Sequence, residues 1–438
     1  MDDLVALRKQ ILELVEVYAT NSLKDSKFTP GQDPISVSGK VLSPNDFSSI
    51  VDSTLDGWFT SGRFTTKFEK DLANFVGVRS SVFVNSGSSA NLLAVTALTS
   101  PKLGQKALKQ GDEIVTAAMG FPTTINQIIQ NKMIPVFVDV DVKTFSPILE
   151  QIRSAISKKT KAIFFAHALG NPFDIDNIQK ICDEHDLWLI EDNCDALGST
   201  YKNRMTGSFG DLATQSFYPA HHITTGEGGA VLVNSPLIRK LVESFRDWGR
   251  DCYCETGKDD TCAKRFDWQL GELPRGYDHK YIYSHIGYNL KATEMQAALG
   301  VSQIEKLPKF IQIRKDNFKL LKSILEDQEE LILAEPTVDS DPSWFGFPFT
   351  ISKKSGIRRS EFIEFLNNRK IATRLLFAGN ILRQPGYLAI NSRKIGSLEN
   401  ANLILENSLW VGVHPGLTEE MIRYVGESIL EFLKAQRL

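Results

Sequence analysis

Apolar and polar positions follow two rhythms along this chain. At the N-terminus Leu4, Leu7, Ile11, Leu14 and Tyr18 recur at helical spacing, which predicts a first amphipathic helix. A polar segment over 21–44 reads as loop, with a short strand within 35–41, and 45–55 and 66–75 read as helices. From residue 81 short β-rich runs at 81–84, 113–116, 135–140, 162–166, 187–190, 213–217 and 230–233 alternate with helical patterns such as 90–99, 146–157 and 175–185. That alternation predicts an α/β domain around a mainly parallel central sheet. Over 251–280 the periodicity stops, leaving a long polar loop with three cysteines, and such a stretch inside a compact domain signals function or disorder. Helical spacing resumes at 294–307 and 308–326, and 334–438 mixes strands (347–352, 373–376) with helices (360–369, 419–436) in a smaller α+β C-terminal domain. The expected organisation is therefore a helix and arm over 1–45, a large α/β domain over 46–307 and a small domain over 308–438.

Composition changes this picture little. With 438 residues and 42% hydrophobic residues the chain can bury a large core. A net charge of -3 leaves no electrostatic footprint for nucleic acid. No run of 18 apolar residues exists to span a membrane. The first helix starts acidic and has no basic n-region with a small-residue cleavage site, so it is not read as a signal peptide, and the expected compartment is the cytoplasm. In a reducing compartment Cys182, Cys194, Cys252, Cys254 and Cys262 point to metal or redox chemistry rather than disulfides.

Candidate chemistry lies just after the strand runs, where open α/β sheets bind ligands. SFYPAHHITTGEGGA (216–230) is a glycine-dense turn that presents His221 and His222 between two strands. NSGSSANLLA (85–94) follows a strand and opens a helix, so Gly87 and Ser88 put backbone N–H groups where a phosphate binds; an ordinary serine N-cap is the plainer alternative. LIEDNCDALG (189–198) ends a buried strand on Asp192, an acid that needs a partner there. A protonated pyridine nitrogen is one such partner. Phe121, in AAMGFPTT, is placed either to stack on a planar ring or to pack in the core.

Together with GWFTSGRFTTKFEKDLANFVG, PVFVDVD, GYNLKATEMQAALG and IATRLLFAGNILRQPGY, these stretches resemble the nucleotide-sugar aminotransferases, pyridoxal phosphate (PLP) enzymes of the aspartate-aminotransferase fold, PLP fold type I. The resemblance covers most of the chain. It implies that Gly87, Ser88 and Ser216 hold the cofactor phosphate, that Phe121 stacks on the ring and that Asp192 pairs with the ring nitrogen. It also implies a homodimer in which Asn289 reaches the phosphate of the neighbouring subunit.

One departure matters. Typical family members carry at position 221 the lysine that binds the cofactor covalently; here it is histidine, and no lysine lies between Lys202 and Lys240. An imidazole cannot form that bond, so the cofactor would sit loose and arrive as pyridoxamine phosphate (PMP). Histidine still suits proton transfer near neutrality. The exchange is similar to that of the sugar 3-dehydrases, with His221 as the base. Tyr218 is placed either to hydrogen-bond the cofactor or substrate or to pack, and His222 reads as structural.

Four thiolates, Cys194, Cys252, Cys254 and Cys262, can hold a [2Fe–2S] cluster or a zinc ion, and spacing alone does not choose. Asp192 and Cys194 lie two residues apart, within about 7 Å, which would put such a centre beside the ring. The cysteine pattern resembles the iron–sulfur branch of the 3-dehydrases. This implies a [2Fe–2S] cluster, a CDP-4-keto-6-deoxyhexose substrate, and an NAD(P)H-dependent iron–sulfur flavoprotein reductase as partner. It further implies a product class of 3,6-dideoxyhexoses for O-antigen. Alternatives at this stage are a dTDP-4-keto-sugar 3-dehydrase, an ordinary PLP sugar aminotransferase, and a non-catalytic descendant with zinc in the loop. Cys182 falls outside the pattern and reads as core.

Overall fold

The computed structural model describes residues 2–23, 27–252, 254 and 257–437. Parts of the expected 1–45 arm (Met1, Lys24, Asp25, Ser26) and of the 251–280 loop (Tyr253, Glu255, Thr256), together with Leu438, lie outside the described residues.

All seven β-rich runs enter one sheet. Its order is Ser80–Val84, Gly229–Val233, Leu212–Ser216, Trp188–Asp192, Thr160–Ala166, Glu113–Ala117, Ile134–Val138 and Arg393–Lys394. Pairing is antiparallel on both sides of Gly229–Val233 and parallel from Leu212–Ser216 onward. Most of the strands read as apolar runs because both faces are covered. Side chains alternate between those faces. Val82 and Val84 pack with Leu93 and Ala94 of the Gly87–Ala97 helix, whereas Phe83 between them packs with Phe68 and Leu72 of the Arg63–Val76 helix. Further along the sheet Ile163 and Phe165 meet Ile178 and Ile181 of the Ile175–His185 helix. Cys182, on that helix, is buried, and burial pushes its thiol up to about 12.

The C-terminal part is built on a second, antiparallel sheet of Leu331–Leu333, Gly346–Ile351 and Ser408–Gly412. Helices Leu307–Leu325, Arg359–Asn368, Glu399–Asn407 and Glu419–Gln436 accompany it. Two expectations need correction. The 373–376 stretch makes only one bridge, Arg374 to Trp410, and 35–41 only one, Ile35 to Ile371. Arg374 and Leu375 are exposed at a cavity rim, so this stretch has no sheet face to bury.

The two parts interlock. Arg393–Lys394 forms the last strand of the large sheet, and Arg393 reaches Glu113 at 2.8 Å. Asp139, at the end of the Ile134–Val138 strand, accepts from Asn400 N (2.9 Å) and Ala401 N (2.8 Å). It thereby satisfies the free N–H groups at the start of the Glu399–Asn407 helix, whose own preceding residue supplies no side-chain cap.

The N-terminal arm is fastened through His414. Its Nδ1 accepts from Gly416 N (3.3 Å), so Nε2 carries the proton and donates to Ser36 O (3.2 Å). Burial, with the nearby Arg314 charge, lowers its pKa from 6.5 to about 4. The fold therefore holds His414 neutral while the unfolded chain protonates it. This contribution to stability is complete above about pH 6.5 and lost as pH falls toward 4, by up to about 3 kcal/mol. In urea unfolding across that range, the stability gap between the parent and His414→Gln should narrow as pH falls.

Candidate active site

Three turns meet at the carboxyl ends of the strands. Ser80–Val84 leads into Ser86, whose Oγ accepts from Ser89 N at 3.1 Å and starts the Gly87–Ala97 helix. Beside it Leu212–Ser216 ends on Ser216, and Gly229 begins the returning strand. There is no room for side chains between them. A Cβ on Gly87 would lie 2.4 Å from Ser216 Cβ, and one on Gly229 would lie 2.3 Å from Ser86 O. The close approach sets the Ser216 hydroxyl beside a helix N-terminus, the arrangement of backbone N–H groups and hydroxyls that binds phosphate.

A cavity of ≈ 980 Å³ opens over this point. Gly87, Ser88, Phe121, Asp192, Ser216, Tyr218 and His221 all line it, as does Cys194. Asp192 is 5% exposed at the cavity floor. Its Oδ2 accepts from Asn91 Nδ2 (2.9 Å) and Thr124 Oγ1 (2.6 Å), and its Oδ1 from Cys194 N (3.2 Å). Thr214 donates to Asn91 Oδ1 at 2.6 Å and so fixes that amide. Phe121 precedes the Pro122–Gln130 helix and is 50% exposed to the cavity, its ring edge-on to Phe377. Core packing is thereby set aside. Tyr218 is likewise half exposed.

His221 approaches Asp195, with Nε2 3.4 Å from Oδ1, while its Nδ1 is buried without a partner. Asp195 Oδ2 in turn accepts from Leu169 N at 3.3 Å. The turn is held from behind by Arg314, fully buried on the Leu307–Leu325 helix. Arg314 donates to His221 O (3.3 Å), Trp344 O (3.2 Å) and Phe345 O (3.0 Å). Burial pulls its pKa down, and the Asp195 charge opposes that. His222 points away into the core, with Nε2 2.8 Å from Ser343 O. Burial, then the charge of Arg314, holds its pKa well below the ordinary value. No lysine is among the described residues lining the cavity. Asn289 stands outside it, exposed, in a bridge with Asp247.

The cysteines separate. Cys252 and Cys254 form one compact group with His279, their ligand atoms within 4.8 Å of one another, and Cys262 Sγ lies 3.5 Å from His279 Nε2. Soft thiolates fit a thiophilic metal. Burial pushes the Cys254 thiol up, but hydrogen bonds with Thr261, Cys252 and Cys262 bring it below its ordinary value. Cys194 is not in that group. It sits in the cavity wall, where burial and the Asp192 charge push its thiol well above the ordinary value.

The sequence reading missed Asn91, Thr124, Asp195, Arg314 and His279. Asn91 and Asp195 were within motifs already marked out, NSGSSANLLA and LIEDNCDALG; nothing in the local sequence distinguished Arg314 from a surface residue of an amphipathic helix.

Residues 42–430 match the DegT/DnrJ/EryC1/StrS aminotransferase family. The lipopolysaccharide biosynthesis protein RfbH of Salmonella typhimurium is 53% identical over 97% of this chain and 98% of its own length. The dTDP-4-dehydro-2,6-dideoxy-D-glucose 3-dehydratase of Saccharopolyspora spinosa is 52% identical over 93% of this chain and 88% of its own. The solved structure of the E. coli GDP-4-keto-6-deoxy-D-mannose-3-dehydratase with bound hydrated PLP superposes with a TM-score of 0.82 at 31% identity, covering 90% of this chain and 99% of that one. The fold is accordingly that of the PLP-dependent aminotransferases of fold type I.

Gly87→Ala should overpack the turn junction and cost about 1–3 kcal/mol in urea unfolding. Gly386→Ala, where an added Cβ meets nothing within 4 Å, should stay within about 0.5 kcal/mol of the parent.

Proposed function

The chain belongs to the DegT/DnrJ/EryC1/StrS aminotransferase family, and from that premise we propose that it is a CDP-4-dehydro-6-deoxyglucose 3-dehydratase. It would remove the 3-hydroxyl of a CDP-4-keto-6-deoxyhexose with PMP and a [2Fe–2S] cluster. The protein would work as a cytoplasmic homodimer, served by an NAD(P)H-dependent iron–sulfur flavoprotein reductase, on the way to 3,6-dideoxyhexoses of O-antigen. The observation that carries this reading is an imidazole, His221, beside a carboxylate in a cavity lined by no lysine. Relatives named as 3-dehydratases and as a lipopolysaccharide biosynthesis protein support it.

When bound, PMP would supply an amine for the C4 ketone and a ring that takes up an electron pair, and the cluster would supply electrons singly. The residues of the chain would do the rest. Ser88, Ser216 and the helix N-terminus at Gly87 bind the phosphate, joined by Asn289 of the neighbouring subunit. Phe121 covers the ring. Asp192, oriented by Asn91 and Thr124, would pair with the ring nitrogen. His221, held beside Asp195 through Nε2, would take the proton, and Asp195 would stabilise the resulting cation. Arg314 keeps the turn in place through the His221 carbonyl. Tyr218 offers its hydroxyl to substrate or cofactor. Cys252, Cys254 and Cys262 would hold the cluster, with Cys194 as the fourth thiolate.

A second reading, a 3-dehydratase of a dTDP-sugar, is favoured by the 52% identity to the Saccharopolyspora enzyme. Turnover of a panel of CDP- and dTDP-4-keto sugars separates the two.

His221→Lys should abolish dehydration and fix pyridoxal phosphate covalently, read as a mass increase after borohydride treatment. Dehydration at the parent rate would overturn the assignment of His221. Asp195→Asn should lower kcat by about 10²-fold with little change in KM. Anaerobically purified protein should hold about two irons and two sulfides per chain. Cys194→Ser should lose most of that iron, and zinc alone in the parent would count against the cluster.

A further inference from the structure

His279 sits within the cysteine group and carries no role in the reaction described above. The imidazole is 1% exposed. Its Nε2 lies 3.5 Å from Cys262 Sγ and 3.8 Å from Cys252 Sγ. The ring has no freedom to leave. Its backbone N–H donates to Arg265 O at 2.9 Å, the preceding Asp278 accepts from Lys280 N at 3.0 Å, and Trp268 stands edge-on with ring centroids 4.5 Å apart. Its Nδ1 is buried and has no hydrogen-bond partner among the described residues.

That last fact chooses between two roles. A histidine bound to metal through one nitrogen almost always donates its other N–H to an acceptor. With Nε2 on a metal, the Nδ1 proton of His279 would face nothing. With the proton on Nε2 instead, the N–H points at two sulfurs and only a lone pair goes unpaired. Hydrogen bonds to cluster sulfurs are one of the levers that set the reduction potential of an iron–sulfur centre. An N–H aimed at a thiolate favours the state with more negative charge, which is the reduced one.

We propose that His279 is a positioning residue of the metal centre and not one of its ligands, donating Nε2–H to the Cys252 and Cys262 sulfurs and raising the potential at which the centre accepts an electron. The inference rests on the reading that the loop cysteines bind a [2Fe–2S] cluster. It places the loop's redox tuning in a residue 17 positions beyond the last of the cysteines.

The test uses the full-length protein purified anaerobically, in parent form and as His279→Phe, His279→Leu and His279→Gln. Iron and sulfide per chain, the EPR g-values of the reduced centre and its midpoint potential are measured for each. The expected result is parent-level iron and sulfide throughout, a shift to more negative potential in the Phe and Leu variants, and partial recovery in Gln, whose amide can still donate. Two removal variants are included so that a failure of either side chain to fit leaves the other to decide. Unchanged potentials at full iron would overturn this inference alone. Loss of half or more of the iron with altered g-values in all three variants would also overturn it, because His279 would then be a ligand. A parent protein without iron and sulfide would overturn the cluster reading and this inference with it.

Discussion

The site depends on two missing side chains. Where Ser86–Gly87, Ser216 and Gly229 converge, the backbones lie closer together than any Cβ allows, 2.4 Å and 2.3 Å from occupied atoms. Everything above the sheet is positioned by that convergence. It sets the first turn of the Gly87–Ala97 helix against the end of the neighbouring strand pair, and so brings Ser88 and Ser216 to one side of the cavity. It also fixes where the 216–230 turn departs, and therefore where the imidazole arrives. Glycine is required at these two positions by the neighbours and not by backbone conformation, since neither is among the glycines with positive φ.

Above that junction the turn is governed by charge in a poorly hydrated setting. His221 has a carboxylate on one side, and its carbonyl is gripped by a fully buried guanidinium. Arg314 donates only to backbone carbonyls among its hydrogen bonds, three of them from two different segments. It acts as a rivet between the histidine turn and the Ser343–Phe345 segment, and its charge helps to keep the adjacent His222 neutral. Two neighbouring histidines therefore do different things: one lines the cavity beside an acid, and the other packs against the core.

Much of the fold could be read from the chain because the central strands are apolar on both faces, and short apolar runs between turn residues mark them plainly. The failures have physical causes as well. The 373–376 stretch has strand composition but meets the edge strand Ser408–Gly412 only at Arg374 and Trp410. Within the site, Asp192 and His221 stand in recognisable motifs, while Arg314 acts through a contact between distant segments. Arg314 and His221 are 93 positions apart and meet only once the C-terminal part has docked. Cys194 lines the cavity, whereas Cys252, Cys254 and Cys262 gather around His279.

The Arg393–Lys394 strand bears on how the molecule is made. The Ile134–Val138 strand presents one open edge of the large sheet until residue 394 has been synthesised, more than 250 positions later. During translation that edge is a template for any passing strand. The nascent chain is thus exposed to wrong pairing for most of its synthesis, and slow elongation or an early stop before the final segment would leave a sticky half-sheet instead of a small independent domain.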